Sequence, residues 1–371
     1  MTEQKLLNAL ALTKIPGLGI VGIKKLLDAM EDAESIFRHR KELAEIVPGV
    51  GERLMKALDC PEAFLYAEKE LKFVQKNSIA CLSLKDEAYP SRLRECDDAP
   101  SLLFFKGNAD LNALRVVSIV GTRHITDYGN CLCRQFIADL QALCPNVLIV
   151  SGLAYGVDIH AHREALSNEL PTVGVLAHGL DRIYPSTHRD TAVRMLERGG
   201  LLTEYMSETN PDRQNFIQRN RIVAGMSDAT IVIESAAKGG ALITAELAQG
   251  YNRDCFAFAG RTTDEFSRGC NNLIRDNKAI LLQSAEEFVK AMCWDVDSTQ
   301  KPEVVQRQLF PDLTMEEQRI VDMLQEQGSL HINTLAVDMD IPVNQMNVLL
   351  FELEMKGVIR VLAGGMYQLL G

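Results

Sequence analysis

Between residues 111 and 292, short apolar runs alternate with stretches of helical length, an order that few architectures accept. The runs are 116–120, 147–150, 172–176, 201–204, 229–233 and 254–258. The helical stretches include one ending near Leu143 and others at 156–166, 187–198 and 240–250. Strands that are apolar throughout are buried on both faces, as in a parallel sheet covered by helices. The spacing predicts an α/β core, doubly wound, with an extended Rossmann-like layout.

Glycines follow the strands of this core: Gly121, Gly152, Gly179, Gly239, Gly240 and Gly260. Ligands of open α/β sheets sit beyond the carboxyl ends of the strands, where the strand order reverses. Glycine there lets backbone N–H groups approach a phosphate. No G-x-G-x-x-G follows the first strand and no G-x-x-x-x-G-K-[ST] occurs, so dinucleotide and P-loop readings lose their usual support. Arg123, two residues beyond Gly121, carries a fork suited to phosphate oxygens. Its structural alternative is an ion pair with an acid such as Asp158.

Residues 213–221 hold Arg213, Arg219 and Arg221 without an acid, in a chain with 50 Asp+Glu against 39 Lys+Arg and a net charge of −11. A local basic run in an acidic protein points to an anionic ligand, while the overall charge argues against indiscriminate polyanion binding. As a helix, this stretch places Phe216, Ile217, Asn220 and Val223 near one face. Phe216 then reads as core, and Arg219 and Arg221 point to nearly opposite sides.

At 371 residues the chain exceeds one ordinary core. Residues 1–70 read as a helical domain with two similar hairpins, Ile15-Pro16-Gly17-Leu18-Gly19 and Val47-Pro48-Gly49-Val50-Gly51. These resemble helix-hairpin-helix motifs that grip a phosphate backbone. Lys24 and Lys25 favour binding in the first copy, whereas Glu52 would occupy the anion position in the second. Residues 71–292 form the core, with 102–107 an ordered connection. Residues 293–313, with Pro302 and Pro311, read as a linker. Residues 314–371 follow the order of a winged helix. From Asp312 onward nine acids face Arg319, Lys356 and Arg360, a balance of −6 that suits a protein contact better than duplex DNA. No apolar run spans a membrane, the N-terminus lacks a signal-peptide layout, and the 9 scattered cysteines, Cys131 and Cys133 among them, suit a reducing cytoplasm without a metal site.

Several motifs occur in one order: Gly121-Thr122-Arg123 with Tyr128-Gly129; Ser151-Gly152-Leu153-Ala154-Tyr155-Gly156-Val157-Asp158 with Ala161-His162; Gly179-Leu180-Asp181 with Tyr184-Pro185; Phe216 with Arg219-Asn220-Arg221; Gly239-Gly240 with Thr244-Ala245; and Ser267-Arg268-Gly269 with Asn271-Asn272-Leu273-Ile274. With them the chain resembles the DNA-processing protein A family (DprA, also called Smf). The resemblance implies a cytoplasmic, homodimeric, cofactor-free binder of single-stranded DNA. Such a protein protects incoming strands in natural transformation or recombination and helps load the RecA recombinase, with no established catalysis. Carried onto this chain, it implies DNA contacts at Gly121, Thr122, Arg123, Ser151, Gly152, Gly156, Arg219, Asn220, Arg221, Gly239 and Gly240. Ser186 stands where many members have a basic residue, and His188 and Arg189 are the substitutes. Tyr155, Tyr184 and Phe216 are candidates for base stacking, although helix periodicity favours the core for Phe216.

An enzymatic alternative rests on residues 239–246, where Gly239, Gly240, Thr244 and Glu246 resemble a motif of phosphoribohydrolases that cleave nucleoside monophosphates. Asp158, His160 and His162 are close enough in sequence to mimic an acid–base or metal cluster, but no further metal ligand stands out. His162 reads instead as a buried, hydrogen-bonded histidine.

Overall fold

The computed structural model describes residues 2–294, 313–362 and 365–370. The expected linker, apart from its ends, and Gly364 lie outside these residues. Two compact units divide at Asp295.

The first unit opens with helices α1 (Glu3–Leu12), α2 (Ile20–Ala29), α3 (Ala33–Arg38), α4 (Leu43–Ile46), α5 (Glu52–Ala57) and α6 (Pro61–Lys76). The first glycine of each hairpin adopts the left-handed conformation, with φ +76° at Gly17 and +86° at Gly49. Both lysines expected to favour binding are engaged within the protein. Lys24 donates to the Cys96 carbonyl at 2.7 Å, and Lys25 to that of Pro48.

Next come β1 (Ala80–Ser83), α7 (Ser91–Arg94) and β2 (Leu102–Gly107). The segment expected to be a connection is thus a strand, antiparallel to β1. Its side chains alternate between two cores: Leu102 and Phe104 join the N-terminal helical cluster, Leu103 and Phe105 the central one. Burial on both sides is what its apolar run encodes.

The core continues through β3 (Val116–Val120), α8 (Asp127–Leu143), β4 (Leu148–Ser151), α9 (Val157–Ser167), β5 (Thr172–Val175), α10 (Arg189–Glu197), β6 (Gly199–Thr203), α11 (Arg213–Gly225), β7 (Ala229–Val232), α12 (Gly240–Gly250), β8 (Asp254–Phe258), α13 (Arg268–Arg275), β9 (Ile280–Leu282) and α14 (Ala285–Ala291). Among the described residues these strands make a nine-stranded sheet in the order β1-β2-β6-β5-β4-β3-β7-β8-β9. From β6 to β9 every pairing is parallel. Val116 and Val120 face the layer of α11, α12 and α13, through Ile222, Val223, Ala245 and Leu273. Val117 and Ile119 face α8, α9 and α14, through Ile137, Leu140, Ala161 and Phe288. Each such fully buried aliphatic contributes about 1.5–3 kcal/mol. The chain order runs outward from β3 to β6, then returns to β7 on the other side of β3. The switch point therefore lies at β3, between β4 and β7.

The second unit comprises α15 (Met315–Gln327), β10 (Ser329–His331), α16 (Ile332–Asp338), α17 (Val343–Met355), β11 (Ile359–Leu362) and β12 (Met366–Leu369), a winged helix with sheet order β10-β12-β11. A capping box of Thr314 and Glu317 starts α15. Lys356 binds both carboxylate oxygens of the buried Glu317, at 2.6 and 2.7 Å. No helix among the described residues is long and apolar enough to cross a membrane.

Candidate nucleic-acid interface

A cleft of ≈ 940 Å³ opens at the switch point. The turn after β3 supplies Gly121, Thr122, Arg123 and His124, and the turn after β4 supplies Gly152 and Ala154. Behind β7 come Lys238, Gly239 and Gly240, while α11 and the residues before it bring Pro211, Arg213, Phe216, Arg219 and Asn220.

Arg123, Arg213 and Lys238 are exposed in this cleft, and no ion pair holds any of them among the described residues. The Arg123 guanidinium lies 5.2 Å from the Phe216 ring centre and that of Arg219 5.8 Å from it. Tyr184, 48% exposed, stands with its ring centre 6.0 Å from that of Phe216. Helical periodicity assigned Phe216 to the core, but its face of α11 borders the cleft instead. Helix α12 begins at the cleft with Gly239 as N-cap and no side-chain cap, so its first N–H groups face the space where an anion would sit.

The residues expected to touch DNA are not all brought to one place. Gly121, Thr122, Arg123, Gly152, Arg219, Asn220, Gly239 and Gly240 all border this cleft. Gly156 and His188 border a second, adjoining one, and Arg189 is exposed outside both. Ser151 and Arg221 border neither. Ser151 is fully buried, its hydroxyl donating to the Ile119 carbonyl at 2.6 Å, which ties β4 to β3. Arg221 projects from the other side of α11, 6% exposed, onto the Glu204 carboxylate and the Asp98 carbonyl. Neither is placed to meet a strand in the cleft.

Arg219 is a part of the floor rather than a free cation. It is 3% exposed and donates to the carbonyls of Gly152, at 2.5 Å, and Val175. Burial lowers its pKa, opposed by the Asp158 carboxylate; burial likewise raises Asp158, opposed by Arg219. Gly152 admits this arrangement, since a Cβ there would collide with the Arg219 guanidinium and the Asp158 carboxylate. Thr122 donates its N–H to the Glu234 carbonyl at 2.7 Å, and its hydroxyl oxygen accepts from His124 N at 3.1 Å. It shapes the turn that exposes Arg123. Two further cations border the cleft beyond the expected residues: Arg213, which lies within the basic run, and Lys238, which immediately precedes Gly239-Gly240.

The suspected chemical cluster does not converge. His162 is fully buried against Thr172, Nδ1 to Oγ1 2.7 Å, and burial pushes its pKa down to about 3. Glu246, at the cleft margin, is exposed and pairs with Lys278 at 3.2 Å. The Thr244 hydroxyl turns back to the Gly240 carbonyl at 3.4 Å.

Among known proteins, a model of the family described as DNA recombination-mediator protein A matches residues 59–293, and one for the DprA winged helix domain matches residues 306–365. Protein Smf of Synechocystis is 34% identical over 278 residues, covering 74% of this chain and 69% of that protein. DNA processing protein DprA of Streptococcus pneumoniae is 38% identical over 207 residues, 56% of this chain and 72% of that protein. The X-ray structure of the Streptococcus pneumoniae protein superimposes with a TM-score of 0.63 at 30% identity, over 78% of this chain and 98% of that one. The structure of DNA processing protein A from Helicobacter pylori, described for its single-stranded DNA binding mode, gives 0.53 at 29% identity, over 58% of this chain and 96% of that one.

Proposed function

The chain belongs to the DNA recombination-mediator protein A family, and on that premise we propose that it binds single-stranded DNA without reading its sequence, in transformation or recombination. The strand runs through the switch-point cleft. The observation that carries this reading is the coincidence there of three unpaired cations, Arg123, Arg213 and Lys238, a helix N-terminus and the Tyr184–Phe216 pair. Cations and N–H groups track phosphates, while exposed rings receive unstacked bases. Bases in a duplex are already stacked on each other and do not reach such rings. The Helicobacter pylori relative, described for a single-stranded DNA binding mode, supports a single strand as the ligand.

In this reading Arg123 and Asn220 are contact residues, with Gly239 and Gly240 lending backbone donors, and Arg219 is a positioning residue. The protein acts as a homodimer in the cytoplasm and passes its strand to the RecA recombinase. It is a binder rather than an enzyme, since Glu246 and Thr244 are engaged elsewhere and His162 is sealed from the cleft. The winged helix serves a protein contact. Its α17 exposes Val348, Phe351 and Met355 beside the exposed Glu352 and Glu354, a surface that attracts apolar groups and repels phosphate.

Titrating labelled single- and double-stranded oligonucleotides at several salt concentrations tests the proposal. Tighter single-strand binding with a steep salt slope is expected. Equal affinity for the duplex would move the site elsewhere, and turnover of a nucleoside monophosphate would favour the hydrolase alternative.

A further inference from the structure

The second cleft, ≈ 620 Å³, adjoins the first and shares Arg123 and His124 with it. Its remaining walls are Ile125, Tyr155, Gly156, Ile159, His160, Arg163, Thr187 and His188, with no Asp or Glu among them. The volume falls in the range of about 300–1,000 Å³ typical of small-ligand sites.

Three features of this cleft match a nucleotide unit. Tyr155 is 48% exposed, and its ring is held edge-on to His188 with centres 4.9 Å apart. His188 is itself fixed by a 2.9 Å hydrogen bond to the Leu153 carbonyl. With His188 roughly perpendicular to it, the 48% exposed Tyr155 ring still offers a face to a base. Arg163 is exposed and forms no ion pair among the described residues; its Nε donates only a long 3.4 Å bond to Thr191, leaving both terminal nitrogens of the fork to an anion. Gly156, at φ +75°, packs so tightly on Thr122 and Arg123 that a Cβ would collide with both. That close approach sets the Tyr155 loop beside the Arg123 turn and makes the two clefts neighbours.

We infer that the second cleft seats the next nucleotide unit of the bound strand, with its base against Tyr155 and its phosphates between Arg123 and Arg163. This rests on the single-strand reading of the first cleft and extends it. The strand bends over Arg123, whose guanidinium serves phosphates on either side. The contacts involve stacking and charge alone, so they are indifferent to base identity.

The test uses the full chain and a ladder of oligothymidylates from about 3 to about 15 nucleotides. Wild type should gain affinity in steps, one of them on filling the second cleft. Tyr155→Leu and Arg163→Ala should lose that step, about tenfold for the longer strands, and leave the shortest unaffected. Tyr155→Phe should keep the step, because the ring remains. Arg163→Ala should also flatten the salt slope by about 0.7 per lost phosphate contact, for long strands only. Wild-type ladders in both variants would overturn the inference while leaving the first cleft intact. A uniform loss at every length would overturn it too, because the residues would then act through the first cleft. Failure of wild type to bind any strand would sink the single-strand reading itself, and the inference with it.

Discussion

Arg219 and Arg123 share a cleft, yet their environments predict opposite phenotypes. Replacing Arg219 with Met keeps much of the volume and removes the charge. It leaves the carbonyls of Gly152 and Val175 without their donor and the Asp158 carboxylate without its counter-charge. Breaking one side of a buried ionic arrangement costs about 3–5 kcal/mol. At about 2–4 °C per kcal/mol, the melting temperature of the first unit should fall by about 6–20 °C. Asp158→Asn in the same background should recover part of the loss, a coupling of about 0.5–3 kcal/mol.

Arg123→Ala removes an exposed side chain whose intramolecular contact is the Phe216 ring, worth about 0.5–1 kcal/mol. Its melting temperature should move by no more than about 4 °C. Its single-strand affinity should fall about tenfold or more, as a charge-assisted hydrogen bond is lost, and its salt slope should flatten by about 0.7. Calorimetry and salt-resolved anisotropy on the two variants separate the roles. If Arg219→Met melts like wild type and flattens the salt slope as Arg123→Ala does, Arg219 is a phosphate ligand and the assignment to the cleft floor is wrong.

Arg221→Met should cost about 3–5 kcal/mol by stranding Glu204, whereas Arg221→Met/Glu204→Leu should regain most of it; a double variant no more stable in urea than the single would refute the buried pair. His162 ties stability to pH. Its folded pKa, lowered by burial from 6.5 to about 3, means that the unfolded chain binds the proton first. Its contribution is complete above pH 6.5 and drains as pH falls toward 3, at up to about 1.4 kcal/mol per pH unit. His162→Gln should flatten the urea midpoint against pH over that range, and an unchanged slope would contradict the reading. Truncation after Asp295 should leave single-strand affinity within about twofold, while a tenfold loss would put DNA on the acidic winged helix.

The core was legible because its strands are short runs of buried aliphatic residues separated by helices, a pattern set by burial on both faces. β2 hid in a similar run because its partners, β1 and β6, are antiparallel, and half of its burial comes from the N-terminal helices. The basic run told that Arg219 and Arg221 diverge, since neighbouring alternate positions on a helix lie about 200° apart. It did not tell which of them faces the cleft. That depends on Glu204 and Asp98, 17 and 123 residues away in the chain. Phe216 was misplaced for a related reason: periodicity reports an apolar face, and an apolar face borders a ligand cleft as readily as a core. Ser151 shows the limit of reading turns, because a hydroxyl at a strand end is as useful for joining two strands as for meeting a phosphate.

The charge distribution explains how an acidic chain can hold a polyanion. Net charge of −11 repels nucleic acid at long range, but screening confines that repulsion to about 8–10 Å at moderate salt. Within the clefts the balance differs. Arg219 is largely offset by Asp158, and Glu246 is paired with Lys278, so neither determines the local field. What remains are Arg123, Arg213 and Lys238 in the first cleft, with Arg163 in the second. Arg123, Arg213 and Lys238 sit on turns and a helix end, and Arg163 on the middle of α9, next to backbone fixed by buried contacts such as Thr122 to Glu234 and Gly156 to Thr122. A flexible single strand can thread between them and bring its phosphates close, whereas a stiff duplex would have to present its charge to the acidic surroundings as well. Selectivity for single strands then follows from shape and repulsion together, without any contact that reads a base.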